Sequence, residues 1–168
     1  MKSGLKFIAL AFLTLAPLST YAQSNVAHIN VQQLISEMPE VIAAQNELAK
    51  LEKDYTTQID NAFKEFQTKA QSYSADAANQ TDVTNQARQK ELESMQTNLQ
   101  EFRDSAAQEL QKKQMDLMTP LLEKARNAIT KVGQEQGFDY VIDASPNGGI
   151  ILADGKDLIE DVKRELGF

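Results

Sequence analysis

Cysteine and tryptophan are absent from this 168-residue chain, and histidine occurs once, at His28. Without cysteine the chain can form no disulfide framework. A zinc site of the usual kind is also excluded, because one histidine cannot supply the required set of nitrogen and sulfur ligands. His28 lies in a predicted strand, where a structural role fits better than catalysis. We therefore predict that the protein is not an enzyme and uses no metal or cofactor.

Two other features resemble functional sites, but neither predicts one. Gly148-Gly149 is predicted to be a turn and not a phosphate-binding loop, because neither a helix start nor a Lys-Ser/Thr pair follows it. Three aspartates fall near the ends of predicted strands and could in principle hold a hard cation: Asp139, Asp143 and Asp154. Acidic residues at strand ends are usually solvated, so no metal site is predicted there.

Glycine is absent between Ala43 and Val132, and Pro120 is the only proline in that stretch. Before a short polar break, the apolar residues are spaced by three and four positions: Leu48, Leu51, Tyr55, Ile59, Ala62, Phe66, Ala70 and Tyr73. This spacing repeats every eleven residues and keeps one stripe on one face of a helix. A second stripe follows the break: Leu92, Met95, Leu99, Phe102, Ala106, Leu110, Leu117, Leu121, Ala125, Ala128 and Val132. The pattern predicts two long helices packed as an antiparallel hairpin.

The N-terminal residues have the features of a secretory signal peptide. Lys2 and Lys6 precede a short apolar core, Phe7–Ala16, and the small residues Thr20 and Ala22 lie three positions and one position before a cleavage point after Ala22. Such a core is too short to span a bilayer, although an uncleaved membrane anchor is the alternative. We predict a signal peptide over residues 1–22 and a single domain over residues 23–168.

The charge balance restricts the partners. The chain has 17 basic and 24 acidic residues, a formal net charge of −7, and removing Lys2 and Lys6 makes it more acidic. This balance argues against nucleic acid and against anionic membrane surfaces as partners. A thin arm leaves little core for one copy to bury, so we predict a homo-oligomer.

The two ends of the chain are predicted to form a small body. Val26–Val31 alternates as a half-buried strand, and Phe138–Asp143 and Ile150–Ala153 are predicted to pair as a hairpin before a short C-terminal helix. The predicted fold class is therefore α+β, mainly α: a helical hairpin arm over residues 39–132, with its tip near 74–81, projects from a body formed by residues 23–38 and 133–168. Pro120 is predicted to act as a hinge.

Some apolar residues of the arm lie off the stripe, notably Phe63, Met115 and Met118. Exposed apolar groups on an extended arm indicate binding, and phenylalanine and methionine suit contact with varied sequences. This pattern favours a chaperone that holds unfolded chains. A structural coiled-coil adaptor or spacer of the cell envelope is the alternative.

Three blocks of the sequence resemble the Skp/OmpH family of periplasmic chaperones: Val26–Val31 with Met38-Pro39-Glu40, Gln108–Lys113 with Thr119-Pro120, and Phe138–Ala144 with Gly148–Leu158. The resemblance implies a periplasmic homotrimer whose arms surround a cavity. It also implies that unfolded outer-membrane proteins are held in that cavity, without ATP, during transit to the outer membrane.

The resemblance also implies roles for particular residues. Oligomerisation through the body would involve Ile29, Val31, Tyr140, Ile142, Ile150 and Leu152, and contact with the client protein would involve Phe63, Phe66, Tyr73 and Met95. The charge of the arm departs from the family, because well-known members are strongly basic. Here Asp60–Glu93 has four basic and six acidic side chains. We therefore expect mainly apolar client binding that depends weakly on salt. The acidic charge argues against a lipopolysaccharide-binding patch.

Overall fold

The computed structural model describes residues 24–146 and 148–168, so the predicted signal peptide over residues 1–22 lies outside the described residues. Four helices are α1 (Val31–Glu37), α2 (Pro39–Asp76), α3 (Asp82–Glu135) and α4 (Ile159–Leu166). Three short strands are β1 (Val26–Ile29), β2 (Tyr140–Asp143) and β3 (Lys156–Asp157). The predicted class, a long helical hairpin on a small body with a short C-terminal helix, is confirmed.

The arm consists of α2 and α3, which contain 38 and 54 residues. At ~1.5 Å per residue, α2 alone extends about 57 Å. The two apolar stripes face each other: every stripe residue is buried or half-buried, and Tyr55 meets Phe102 edge to face with ring centroids 6.1 Å apart. Pro39 occupies the start of α2, where its missing N–H removes no helical hydrogen bond.

The tip is shorter than the sequence suggested. Helix α2 continues through Ser74 to Asp76, and a single 3-10 turn, Ala77–Asn79, precedes α3. Thr81 begins α3, because its hydroxyl oxygen accepts a hydrogen bond from the Thr84 amide at 3.2 Å.

The sheet of the body differs from the prediction. Its order is β2-β1-β3 and both pairs are parallel, so the predicted hairpin between Phe138–Asp143 and Ile150–Ala153 is wrong. Residues 150–153 form no strand, and Lys156–Asp157 pairs with β1 instead. A parallel arrangement needs a long connection and not a tight turn. The segment after β2 therefore serves as the connection to the other edge of β1.

Val31 was expected in the first strand but is the first residue of α1. The strand ends at Ile29, because the Asn30 side chain accepts a hydrogen bond from the Gln33 amide at 2.9 Å and caps the helix. The expected alternation is confirmed up to that point: Ala27 and Ile29 are buried in the body core. Val31 packs against that core from α1.

The body core joins both ends of the chain to the base of the arm. It is formed by the buried residues Ala27, Ile29, Leu34, Met38, Val41, Ala125, Ala128, Val132, Leu158 and Val162. Gly133 allows β2 to lie close to α3, since a Cβ atom there would be 2.7 Å from Val141 Cγ2. Gly137, with φ of +74°, ends α3 in the left-handed conformation predicted from the sequence.

Candidate binding surface of the arm and body

One flank of the arm carries an open aromatic groove. Phe63 and Phe66 of α2 line it together with Leu99, Gln100 and Arg103 of α3, and Phe63 is 40% exposed. Phe63 precedes Phe66 by three residues and is rotated about 60° from the stripe, so its ring lies at the edge of the helix interface. The structure thus brings two of the four predicted client-contact residues together.

The other flank carries ion pairs between the two helices. Lys69 Nζ lies 2.5 Å from Glu91, Lys113 Nζ lies 2.7 Å from Glu47, and Lys124 Nζ lies 2.7 Å from Glu40: three pairs from the tip towards the base. The Tyr55 hydroxyl donates a hydrogen bond to the Glu109 carboxylate on this flank. This flank also has an open groove, but charged side chains such as Glu47, Glu109 and Lys113 line it, whereas Arg103 is the charged residue in the lining of the groove around Phe63.

Tyr73 and Met95 do not join the aromatic groove. The Tyr73 hydroxyl donates a hydrogen bond to Glu91 at 2.5 Å, and the Arg88 guanidinium lies 4.7 Å from the centre of the tyrosine ring. Tyr73 is therefore part of the ion-pair flank near the tip. Met95 is half-buried in the stripe between the helices. The predicted client-contact residues thus occupy three different environments.

The contact between α2 and α3 near the tip is expected to depend on pH, because carboxyl groups take part in it. Hydrogen bonds from Lys69 and Tyr73 lower the pKa of Glu91 below its ordinary 4.5, and the hydrogen bond from Arg88 lowers the pKa of Asp76 below its ordinary 3.8. Folded-state pKa values below the unfolded ones stabilise the closed tip at neutral pH, and this stabilisation is lost as the pH falls through the lowered values. Spin labels at Ser72 and Gln86 should therefore separate as the pH falls through the lowered values of these two carboxyl groups. A distance that stays unchanged once both carboxyl groups are protonated would contradict this.

Pro120 lies within α3, which continues through it from Asp82 to Glu135. The side chain is exposed, and its ring removes one backbone donor from the helix. The hinge at Pro120 stays a prediction. Pro120→Ala should restore that donor and stiffen the arm, which hydrogen exchange of the α3 amides or spin labels at the tip would show. Unchanged tip mobility would count against the hinge.

The body contains a second groove, of about 710 Å³, between α1, α3 and β2. Its apolar lining includes Val31, Ile35, Leu122, Ile129, Phe138 and Val141, and charged groups stand among them: Glu123, Arg126, Asp139 and Asp143. Most of this lining was missed in the sequence. The available signal was the widening of the apolar stripe near the base of α3, where Met118, Leu122 and Ile129 stand beside Leu117, Leu121 and Ala128.

The residues predicted to form the oligomer have two kinds of environment. Ile29 is buried in the core of its own chain, where it supports the body from within. Tyr140, Ile142, Ile150 and Leu152 are exposed, and Ile151 between the last two is fully exposed. A contiguous run of three exposed apolar side chains, Ile150–Leu152, is costly in water unless another surface covers it.

Two of the three aspartates considered as cation ligands have structural partners. Asp139 accepts a hydrogen bond from the Asn25 amide at 2.9 Å, and Asp143 accepts one from the Ser145 hydroxyl at 2.6 Å. The Ser145 hydroxyl is the main cause that lowers the pKa of Asp143. Within residues 24–146 and 148–168, no group of three potential ligands could hold a metal ion. None of the helices in this described part has the length and apolar character needed to cross a bilayer.

The fold defines a class of protein in which a long helical hairpin projects from a small α/β body. The family described as outer membrane protein (OmpH-like) matches residues 25–166. The chain belongs to this family, as the sequence blocks indicated.

Two relatives are similar over nearly the whole chain. The "Chaperone protein Skp" of Yersinia enterocolitica is 26% identical over 160 residues, covering 92% of this chain and 93% of that protein. The "Chaperone protein Skp" of Pectobacterium atrosepticum is 21% identical over 166 residues, covering 99% of both.

Proposed function

We propose that the protein is a periplasmic chaperone that holds unfolded outer-membrane proteins without ATP and prevents their aggregation. The observation that carries the proposal is the exposed aromatic groove of Phe63 and Phe66, whose lining is mostly apolar or uncharged, on an arm whose opposite flank is lined by charged side chains and ion pairs. An open apolar groove on an extended arm suits loose contact with many sequences. The names of the two relatives, which call them chaperones, agree with this proposal.

The working unit of this chaperone is a homo-oligomer, which the family resemblance implies to be a trimer. The exposed apolar segment Ile150–Leu152 and the apolar groove beside β2 give the body two surfaces that a second copy would cover. Bringing several bodies together places several arms around one space. A client chain enclosed by arms is held by many weak contacts at once, which raises the effective affinity.

The proposal is tested by diluting a urea-unfolded outer-membrane β-barrel protein into buffer without ATP and recording light scattering. The mature chain should suppress aggregation at about one oligomer per client. Phe63→Gln should weaken this suppression, whereas Val83→Gln, at an exposed apolar residue near the tip, is the matched control. Undiminished aggregation in the presence of folded, oligomeric protein would favour the alternative, an adaptor with one fixed partner.

A further inference from the structure

The eleven-residue repeat of buried positions in α3 shows which of its other residues lie on the same side of the arm. Leu99, Leu110, Leu121 and Val132 stand eleven residues apart, as do Met95, Ala106, Leu117 and Ala128. All eight are buried or half-buried against α2 or the body. An eleven-residue repeat corresponds to about 3.67 residues per turn. Residues of α3 that are eleven positions apart therefore lie on the same side of the stripe.

The ion pairs follow one such row. Glu91, Lys113 and Lys124 are separated by two repeats and one repeat, and their partners across the hairpin are Lys69, Glu47 and Glu40. On α2, Glu47 and Lys69 are also two repeats apart. The charged residues on this side of α2 therefore lie opposite charged residues of α3 from the base of the arm to near its tip.

The opposite flank follows two rows that contain no charge. One row is Gln96, Ala107, Met118 and Ile129, and the other is Gln89, Gln100, Gln111 and Leu122. We call these eight positions the uncharged lane. Gln96 and Gln100 line the aromatic groove, and Leu122 and Ile129 line the groove of the body. The two grooves therefore lie on the same flank of the arm, with the lane between them.

We infer that an extended segment of an unfolded outer-membrane protein lies along the uncharged lane and against Phe63 and Phe66. The inference rests on the proposed function and assigns the flank that performs it. Leu122 and Ile129, at the base of the lane, line the groove where a second copy is proposed to dock, so the client occupies the part of the lane from Gln89 to Met118. This part of the flank continues from the proposed contact between copies and faces the neighbouring arms. The ion-pair flank faces outward.

The chemistry of the lane fits the strands of outer-membrane barrels, which alternate apolar and polar residues and carry few charges facing lipid. Glutamine amides can donate and accept hydrogen bonds with the free backbone of an extended client. Gln89 and Gln100 each donate to an exposed carboxylate, Glu93 and Asp104, at 3.0 Å, and would exchange these bonds for bonds to the client. From Gln89 to Ile129 the lane is about 60 Å long. An anionic membrane surface does not fit, because such a surface attracts clusters of basic residues and only Arg103 borders the aromatic groove.

The inference is tested by placing charges on one flank at a time. The lane variant carries Gln96→Glu and Gln111→Glu. The control carries Asn98→Glu and Ser105→Glu, at exposed positions one repeat before Glu109 and Asp116, which line the ion-pair flank. Binding of a fluorescently labelled, unfolded outer-membrane barrel protein should be roughly tenfold weaker for the lane variant and within about twofold of wild type for the control.

Equal loss of affinity in the two variants, or loss in the control alone, would overturn the assignment of the flank. Absence of binding by the wild-type oligomer would instead reject the proposed function. Circular dichroism and sedimentation of each variant show whether helices and oligomer are retained, so that a folding defect is recognised. A single-charge variant, Gln96→Glu, replaces the lane variant if that protein fails to assemble.

Photo-crosslinking locates the client independently of affinity. A benzophenone amino acid at Gln100 should form adducts with the client, and the same group at Asn98, two residues away on the other flank, should form few. Adducts at Asn98 of comparable yield would contradict the inference. Adducts at Gln100 that join only two copies of this chain would show that another arm, and not a client, covers the lane.

Discussion

A chain with Ile151→Asp is expected to fold normally and to lose its oligomer. Ile151 is fully exposed in the single chain, so the substitution removes no packing within it. In the proposed oligomer the same side chain is covered, and an aspartate there would place an uncompensated charge in an apolar interface. An interface residue of this kind contributes about 2 kcal/mol or more, so the dissociation constant should rise at least roughly thirtyfold.

Sedimentation at several protein concentrations measures this change, while circular dichroism reports whether the helices are retained. Val83→Asp is the matched control, because Val83 is also exposed and apolar but lies near the tip of the arm, far from the body. Sedimentation of the Ile151→Asp protein that matches wild type would show that Ile150–Leu152 is not part of the contact between copies. Loss of helix content would show that the segment supports the fold of the single chain.

Leu158→Ala is expected to destabilise the body by about 2–5 kcal/mol, the usual range for removing a fully buried leucine. Leu158 is entirely buried and follows β3 directly, and its amide donates a hydrogen bond to the His28 carbonyl at 3.0 Å. Its side chain belongs to the core that joins β1, α1 and α4 to the base of the arm. A cavity at this position would therefore weaken the attachment of β3 and α4 together.

Urea unfolding at one fixed protein concentration tests this prediction, because the stability of an oligomer depends on concentration. Leu152→Ala serves as the control: Leu152 is 82% exposed and should change the free energy of unfolding of the single chain little. To separate folding from assembly, both substitutions are compared in the Ile151→Asp background. A loss at Leu158 no greater than at Leu152 would contradict the packing described for the body.

Local patterns were sufficient to predict the arm. The three-and-four spacing of apolar residues, the proline at the start of α2 and the left-handed glycine after α3 each depend on nearby residues, and the structure confirms all three. The strands of the body, by contrast, depend on pairing between residues that are far apart in the sequence. Ile150–Ala153 has high strand propensity, yet β1 takes β2 and β3 on its two edges in parallel and leaves that segment outside the sheet.

The candidate site was only partly predictable for the same reason. Phe63 and Phe66 are adjacent on one helix, so their shared surface follows from helical spacing alone. The environment of Tyr73 depends on Glu91 and Arg88 of the returning helix, and hence on how α2 and α3 are aligned. That alignment also separates the charged flank from the uncharged lane. The apolar stripe of each helix, taken alone, does not determine how α2 and α3 are aligned.

The central claim is that this chain holds an unfolded outer-membrane protein mainly by uncharged contacts. The most direct measurement is the affinity of the mature oligomer for a labelled, unfolded outer-membrane barrel protein at about 0.1 M and about 1 M salt, between which the Debye length falls from about 10 Å to about 3 Å. The account predicts tight binding at both concentrations, with a change of less than about threefold. Absence of binding, or a steep loss of affinity at the higher salt concentration, would contradict it.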